Sequence, residues 1–139
     1  MILIKVSILF LDHFLHSTSQ TQIDEIRFSM PVKISQIRIL RSGCIPHPTL
    51  PNLQGFKSST QISPITGLEI YFRDISKFGS NLDLIGKFEN LNEKPSSNDT
   101  CIYSEELLFT DHLLFKGIYC NLSICVYGER IVQNLFILV

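Results

Sequence analysis

The stretch that decides the fold is Thr110-Asp111-His112-Leu113-Leu114-Phe115-Lys116-Gly117-Ile118-Tyr119-Cys120-Asn121-Leu122-Ser123-Ile124-Cys125-Val126-Tyr127-Gly128. In its second half Cys120, Leu122, Ile124 and Val126 share one parity, with Tyr119, Asn121, Ser123 and Cys125 on the other. Successive side chains of a strand point to opposite faces, so this pattern marks a strand with one apolar face. A matching segment lies toward the other end. It begins as Ile23-Asp24-Glu25-Ile26-Arg27-Phe28 and continues as Pro31-Val32-Lys33-Ile34-Ser35-Gln36-Ile37-Arg38-Ile39. Val32 and Ile34 are even while Ile37 and Ile39 are odd, and this change of phase predicts a β-bulge at Ser35-Gln36.

Similar runs lie between these two segments. Strands are expected near 2–11, 24–29, 32–41, 66–73, 82–89, 100–104, 111–116 and 119–128. Ile2, Ile4, Val6, Ile8 and Phe10 share one face of the first; Leu68, Ile70 and Phe72 oppose Glu69, Tyr71 and Arg73 in the fourth. Residues 42–65, with Pro46, Pro48, Pro51 and Pro64, read as one long connection, and residues 90–99, with Pro95, as a second. The single helical candidate is one turn at Ser104-Glu105-Glu106-Leu107-Leu108. About eight short one-sided strands predict an all-β fold, an antiparallel two-sheet sandwich, with jelly-roll (galactose-binding-like) topology preferred. A chain of 139 residues makes one domain, assigned to 1–129, followed by an apolar tail at 130–139.

Composition narrows the function classes. Twelve basic residues meet thirteen acidic ones, for a net charge of −1. Nucleic-acid binding by counterion release needs a basic patch. Lys33, Arg38 and Arg41 are only spread along one strand and read as a solvated face, so direct RNA binding by this domain is not expected. The four cysteines, Cys44, Cys101, Cys120 and Cys125, form no Cys-x-x-Cys pair and read as buried thiols in a reducing compartment. The N-terminal run alternates like a strand and lacks a small-residue cleavage site, unlike a signal peptide. The end, Leu135-Phe136-Ile137-Leu138-Val139, is far shorter than the roughly 20 apolar residues of a membrane span, and it reads as cut short.

No arrangement of residues points to a reaction. His13 and His16 sit three apart, which would matter on a helix, but Ser17-Thr18-Ser19-Gln20 reads as loop, and Cys44-x-x-His47 has no second half for a four-ligand zinc site. There is no Gly-x-Ser-x-Gly; Gly43, Gly55, Gly67, Gly79 and Gly86 are isolated and suit turns. Asp24-Glu25 and Glu105-Glu106 are sequence neighbours, which a strand sends to opposite faces, so they read as solvated charge. Asn98-Asp99-Thr100 and Asn121-Leu122-Ser123 match the glycosylation tripeptide but, without a signal peptide, have no route to modification. Catalytic, cofactor and metal residues are therefore expected to be absent.

In order and spacing the segments resemble the N-terminal domain of the Virilizer family. The resemblance runs from Ile8-Leu9-Phe10-Leu11-Asp12-His13-Phe14 through Asp24-Glu25-Ile26-Arg27-Phe28 and Pro31 to Ile39. It continues through His47-Pro48, Leu50-Pro51, Ser63-Pro64, Leu68-Glu69-Ile70-Tyr71-Phe72, Ile75-Ser76-Lys77 and Leu84-Ile85-Gly86-Lys87-Phe88-Glu89 to Thr110–Gly128. Ile118 replaces an aromatic residue, Phe78 stands where the family tends to have proline, and the family's large helical-repeat body is missing. The resemblance implies a non-catalytic nuclear scaffold of the complex that writes N6-methyladenosine on mRNA, with influence on splicing. Its implied partners are a splicing adaptor associated with Wilms tumour and, through it, the methyltransferase subunits. Interaction surfaces are expected on the loops at 42–65 and 90–99. The alternative is a jelly-roll ligand- or carbohydrate-binding module, whose loop-end cleft would use Tyr71, Tyr103 and Tyr119.

Overall fold

The computed structural model describes residues 7–46, 56–58, 62–79, 81–94 and 98–131. Six strands follow one another: β1 (Ser7–Ile39), β2 (Cys44–Pro46), β3 (Phe56–Ser58), β4 (Ile65–Arg73), β5 (Leu82–Leu91) and β6 (Thr100–Arg130). β1 and β6 are far too long for single straight strands, and their pairing shows why. Ser7 to Leu15 pair with Gly128 to Asn121, Gln20 to Arg27 with Tyr119 to His112, and Val32 to Ile39 with both Thr110–Thr100 and Arg130–Ile124. β4 then pairs with Leu113–Ile118 of β6 on one side and with β5 on the other.

These registers resolve into two antiparallel layers. In the first the order is 7–15, 121–130, 32–39, 100–110; in the second it is 20–27, 112–119, 65–73, 82–91. β1 and β6 each pass from one layer to the other and back. One apolar cluster joins both layers: Ile34, Ile37, Ile39, Leu122, Ile124 and Val126 from the first, Ile26, Leu68, Ile70, Leu113 and Phe115 from the second. The rings of Phe14 and Phe115 meet across it at 6.2 Å. Complete burial of one such aliphatic or aromatic side chain contributes about 1.5–3 kcal/mol, so this cluster dominates the stability. The architecture is the all-β sandwich that the alternation predicts.

The bulge expected at Ser35-Gln36 is present. Ile34 pairs with Gly128 and Gln36 with Tyr127, so two steps of β1 face one step of β6. This lets Ile34 and Ile37 both point inward despite their different parity. Other local readings are corrected. Residues 104–107 make no helical turn; they bulge out of β6, since Ile34 pairs with Leu108 but Gln36 with Tyr103. Ser17-Thr18-Ser19-Gln20, read as loop, lies within β1 where the chain crosses between layers. The connection 42–65 contains the small β2–β3 hairpin. The expected positions at 1–6, at His47 and Pro48, at Gly55, at Pro95 and in the tail from 132 onward lie outside the described residues.

The phase of β6 also changes where it crosses between layers. Leu113, Phe115 and Tyr119 point inward on the second layer, whereas Leu122, Ile124 and Val126 do so on the first. The parity of 120–126 therefore does not extend back to Tyr119, which is wholly buried rather than outward-facing. Gly128 permits the final close approach: a Cβ there would overlap the Lys33 carbonyl oxygen and come within 3.0 Å of Ile34 Cα.

Candidate functional site

Three polar assemblies decorate the sandwich. The first lies at the β1 crossover. Asp24 projects inward from the second layer, its side chain only 14% exposed. Its Oδ2 accepts the Tyr119 hydroxyl proton at 2.6 Å and lies 2.7 Å from His16 Nε2. Burial, then the bond to Asp24, pushes the Tyr119 phenol well above its ordinary value. Asp24 is thus not the solvated carboxylate its sequence suggests. Glu25 does face the other way, as strand alternation requires. It holds Arg27 at 3.1 Å and lies 3.6 Å from His112 Nε2.

The second assembly covers the outer side of the second layer. Arg73 donates from Nε to Asp111 Oδ1 at 3.0 Å and from Nη2 to Oδ2, tying β4 to β6. Tyr71 donates its hydroxyl to Glu69. The third lies on the outer side of the first layer. Arg38 pairs in register with Cys101 on one neighbour and Cys125 on the other, and its guanidinium sits 5.3 Å from the Tyr127 ring centre. Asp99 lies within 3.9 Å of Arg38 and 3.7 Å of Arg41, so the cations noted in the sequence are partly neutralised here. Leu40, Cys44 and Cys125 form a small apolar cluster under this face, flanked by Leu11 and Tyr127. All four cysteines are free, and burial raises the pKa of both Cys44 and Cys125.

Among the described residues no group of three or more His, Cys, Asp and Glu is placed to hold a metal ion. The three tyrosines that a carbohydrate cleft would use are not brought together. Tyr119 is in the core, Tyr71 is on the outer side of the second layer, and Tyr103 is exposed on the edge leg of the first.

Concave surface lies instead along the two margins where the layers end. Between the legs 7–15 and 20–27 is a cleft of ≈ 460 Å³, with Leu9, Phe10, Ile26, Phe28 and Val32 inside and Arg27 and Arg130 at its rim. Along the other margin, between β5 and residues 100–110, lie two cavities of ≈ 260 and ≈ 290 Å³. Phe72, Ser104 and Leu108 line both, so they form one groove. Exposed Leu84, Tyr103 and Leu107 line this groove. Sequence reading placed interaction on the loops at 42–65 and 90–99, parts of which lie outside the described residues, and did not foresee the groove.

Comparison with known proteins agrees with this architecture. The Virilizer N-terminal family model matches residues 5–135. The human protein virilizer homolog is 28% identical over 136 residues, covering 93% of this chain, and Drosophila melanogaster protein virilizer is 27% identical over 125 residues, covering 87%. The chain spans only 7% and 6% of those two proteins. Among solved structures it is similar to the family 32 CBM of C. perfringens NanJ in complex with galactose, with TM-score 0.54 and 13% identity over 81% of this chain and 70% of that one. That likeness concerns the fold alone and agrees with the jelly-roll topology. Because the match to the family model spans nearly the whole chain, the protein belongs to the Virilizer family through its N-terminal domain.

Proposed function

We propose that this domain is a non-catalytic interaction module of the nuclear assembly that writes N6-methyladenosine on mRNA, and that it contributes through that assembly to splicing. The observation that carries the reading is the family match over residues 5–135. The surface chemistry supports it: near-neutral charge, paired cations and apolar margins suit contact with protein more than with the phosphates of RNA. The partners in this reading are the splicing adaptor and, through it, the methyltransferase subunits.

The test is affinity purification of the tagged chain from nuclear extract, read by mass spectrometry. Recovery of the adaptor and the methyltransferase subunits is expected. A folded, soluble chain that recovers none of them overturns the reading and assigns docking to other parts of the much longer relatives. The carbohydrate-binding alternative is not carried by the geometry, because Tyr71, Tyr103 and Tyr119 do not converge.

A further inference from the structure

The groove along the margin formed by β5 and residues 100–110 has a form that restricts its occupant. Its interior is apolar, lined by Ile34, Ile37, Phe72, Ile85, Ile102 and Leu108. Tyr103 also lines it and is largely exposed, and so are the lining residues Leu84 and Leu107. An exposed aromatic residue among aliphatic ones, beside a preformed cavity, is the usual composition of a protein-binding hot spot.

Sheet margins commonly bind partners by adding a strand. Here both rims are interrupted. On β5 the pairing steps from Ile70–Gly86 to Tyr71–Leu84, which leaves Ile85 as an extra residue. On β6 the pairing with β1 steps from Leu108 to Tyr103, so 104–107 bulge outward. Bulges break the row of free N–H and C=O groups that an added strand needs. An occupant must therefore insert side chains and satisfy its own backbone, which is what an α-helix does.

Charge sets the remaining preference. The one charged side chain lining the two cavities among the described residues is Asp74. Bonds from the Ser76 hydroxyl and amide hold its carboxyl below the ordinary value, so it stays ionised. Lys77 bridges Asp74 at 3.9 Å and Asp83 at 3.3 Å, which leaves two carboxylates against one cation.

We propose that this groove docks an amphipathic helix of a partner protein, with aliphatic residues at i, i+3 or i+4, and i+7 facing Tyr103, Leu107 and the cavities, and with Lys or Arg beside them facing Asp74. It rests on the reading of the chain as an interaction module and specifies the surface and the partner's chemistry.

The test is selection of a display library of random 16-residue peptides on the full chain, counter-selected on the Tyr103→Asp, Leu107→Asp double variant. The variant is expected to keep the wild-type melting temperature, because both side chains are exposed. Enriched peptides are expected to show apolar residues at helical spacing with an excess of Lys and Arg. They should bind the double variant at least tenfold more weakly, and binding to Asp74→Asn should lose most of its salt dependence. Apolar residues at every second position, an excess of acidic residues, or no enrichment that depends on Tyr103 would each overturn the proposal. So would Tyr103-dependent self-association in sedimentation, which would make the occupant a second copy of this chain. Recovery of methyltransferase subunits by the double variant would leave the proposed function standing while removing this groove from it.

Discussion

The Tyr119 hydroxyl donates to the Asp24 carboxylate across 95 residues of sequence, at 2.6 Å and out of contact with solvent at the tyrosine. The bond fastens β6 to β1 at the level where both strands change layers. A hydrogen bond to a charged group contributes about 1.5–3 kcal/mol, and deleting the hydroxyl leaves a largely buried carboxylate one partner short. Tyr119→Phe is expected to lower stability by roughly that amount, read as a shift in the urea midpoint at unchanged m value. A shift within error would show that His16 and water satisfy Asp24 without the phenol.

The close approach at Gly128 sets a harder limit. Any side chain there collides with the Lys33 backbone, which cannot move without breaking the pairing on both sides of β1. Overpacking of this kind costs about 1–3 kcal/mol where neighbours yield, and more where backbone must shift. Gly128→Ala is expected to lose at least about 3 kcal/mol, seen in soluble yield and thermal melting. Gly117→Ala faces backbone at 3.1–3.3 Å and is expected to cost less.

Fold class and the Ser35-Gln36 bulge were legible because period-two alternation records which face is buried. What alternation could not show is a strand that changes layers. At the crossing the inward parity is reset, so Tyr119 and Leu122, of opposite parity, both enter the core. Asp24 was misread for a related reason. A carboxylate on an inward-facing position looks like a break in the pattern until a phenol and an imidazole 95 and 8 residues away are seen to meet it. The groove at the β5 margin was illegible because it depends on two bulges in strands distant in sequence.

Alkaline pH should expose the tyrosine environments. The Tyr127 phenol is pushed up to about 12, first by its bond with Cys125 and then by burial, and Tyr119 is raised as well. A group whose pKa is higher folded than unfolded stabilises the fold fully below the unfolded value. That contribution is lost as pH rises through the folded value. The buried thiols of Cys44 and Cys125, raised above their ordinary value of 9.0, start a decline in stability near pH 9, and the tyrosines add a further fall between pH 10, the ordinary phenol value, and 12. Tyrosinate absorbance at about 295 nm should rise for these two residues together with loss of the folded-state circular dichroism signal. Full ionisation of all tyrosines in a still-folded protein would contradict these environments.

Thiol chemistry should sort the cysteines by depth. Cys44 and Cys125 are buried with raised pKa, while Cys101 and Cys120 are partly exposed. The thiolate is the reacting species, so burial slows alkylation both by access and by ionisation. Iodoacetamide at neutral pH is expected to modify Cys101 and Cys120 in the folded protein, and Cys44 and Cys125 only on unfolding, as read by peptide mass spectrometry. Early labelling of Cys125 would mean that the cluster with Leu40 opens readily.

The shared use of β1 and β6 by both layers has a consequence for how the chain is born. Every leg of β1 finds its partners on β6, and Ser7 waits for Gly128. At roughly 5–20 residues per second of synthesis, the first strand spends on the order of ten seconds without the chain it will pair with. Contacts this distant in sequence also slow folding once they become possible. The emerging polypeptide therefore carries its longest apolar ladder unpaired until nearly all of the domain has left the ribosome. This domain's vulnerability is concentrated in the cell's first moments with it, before any partner can be recognised.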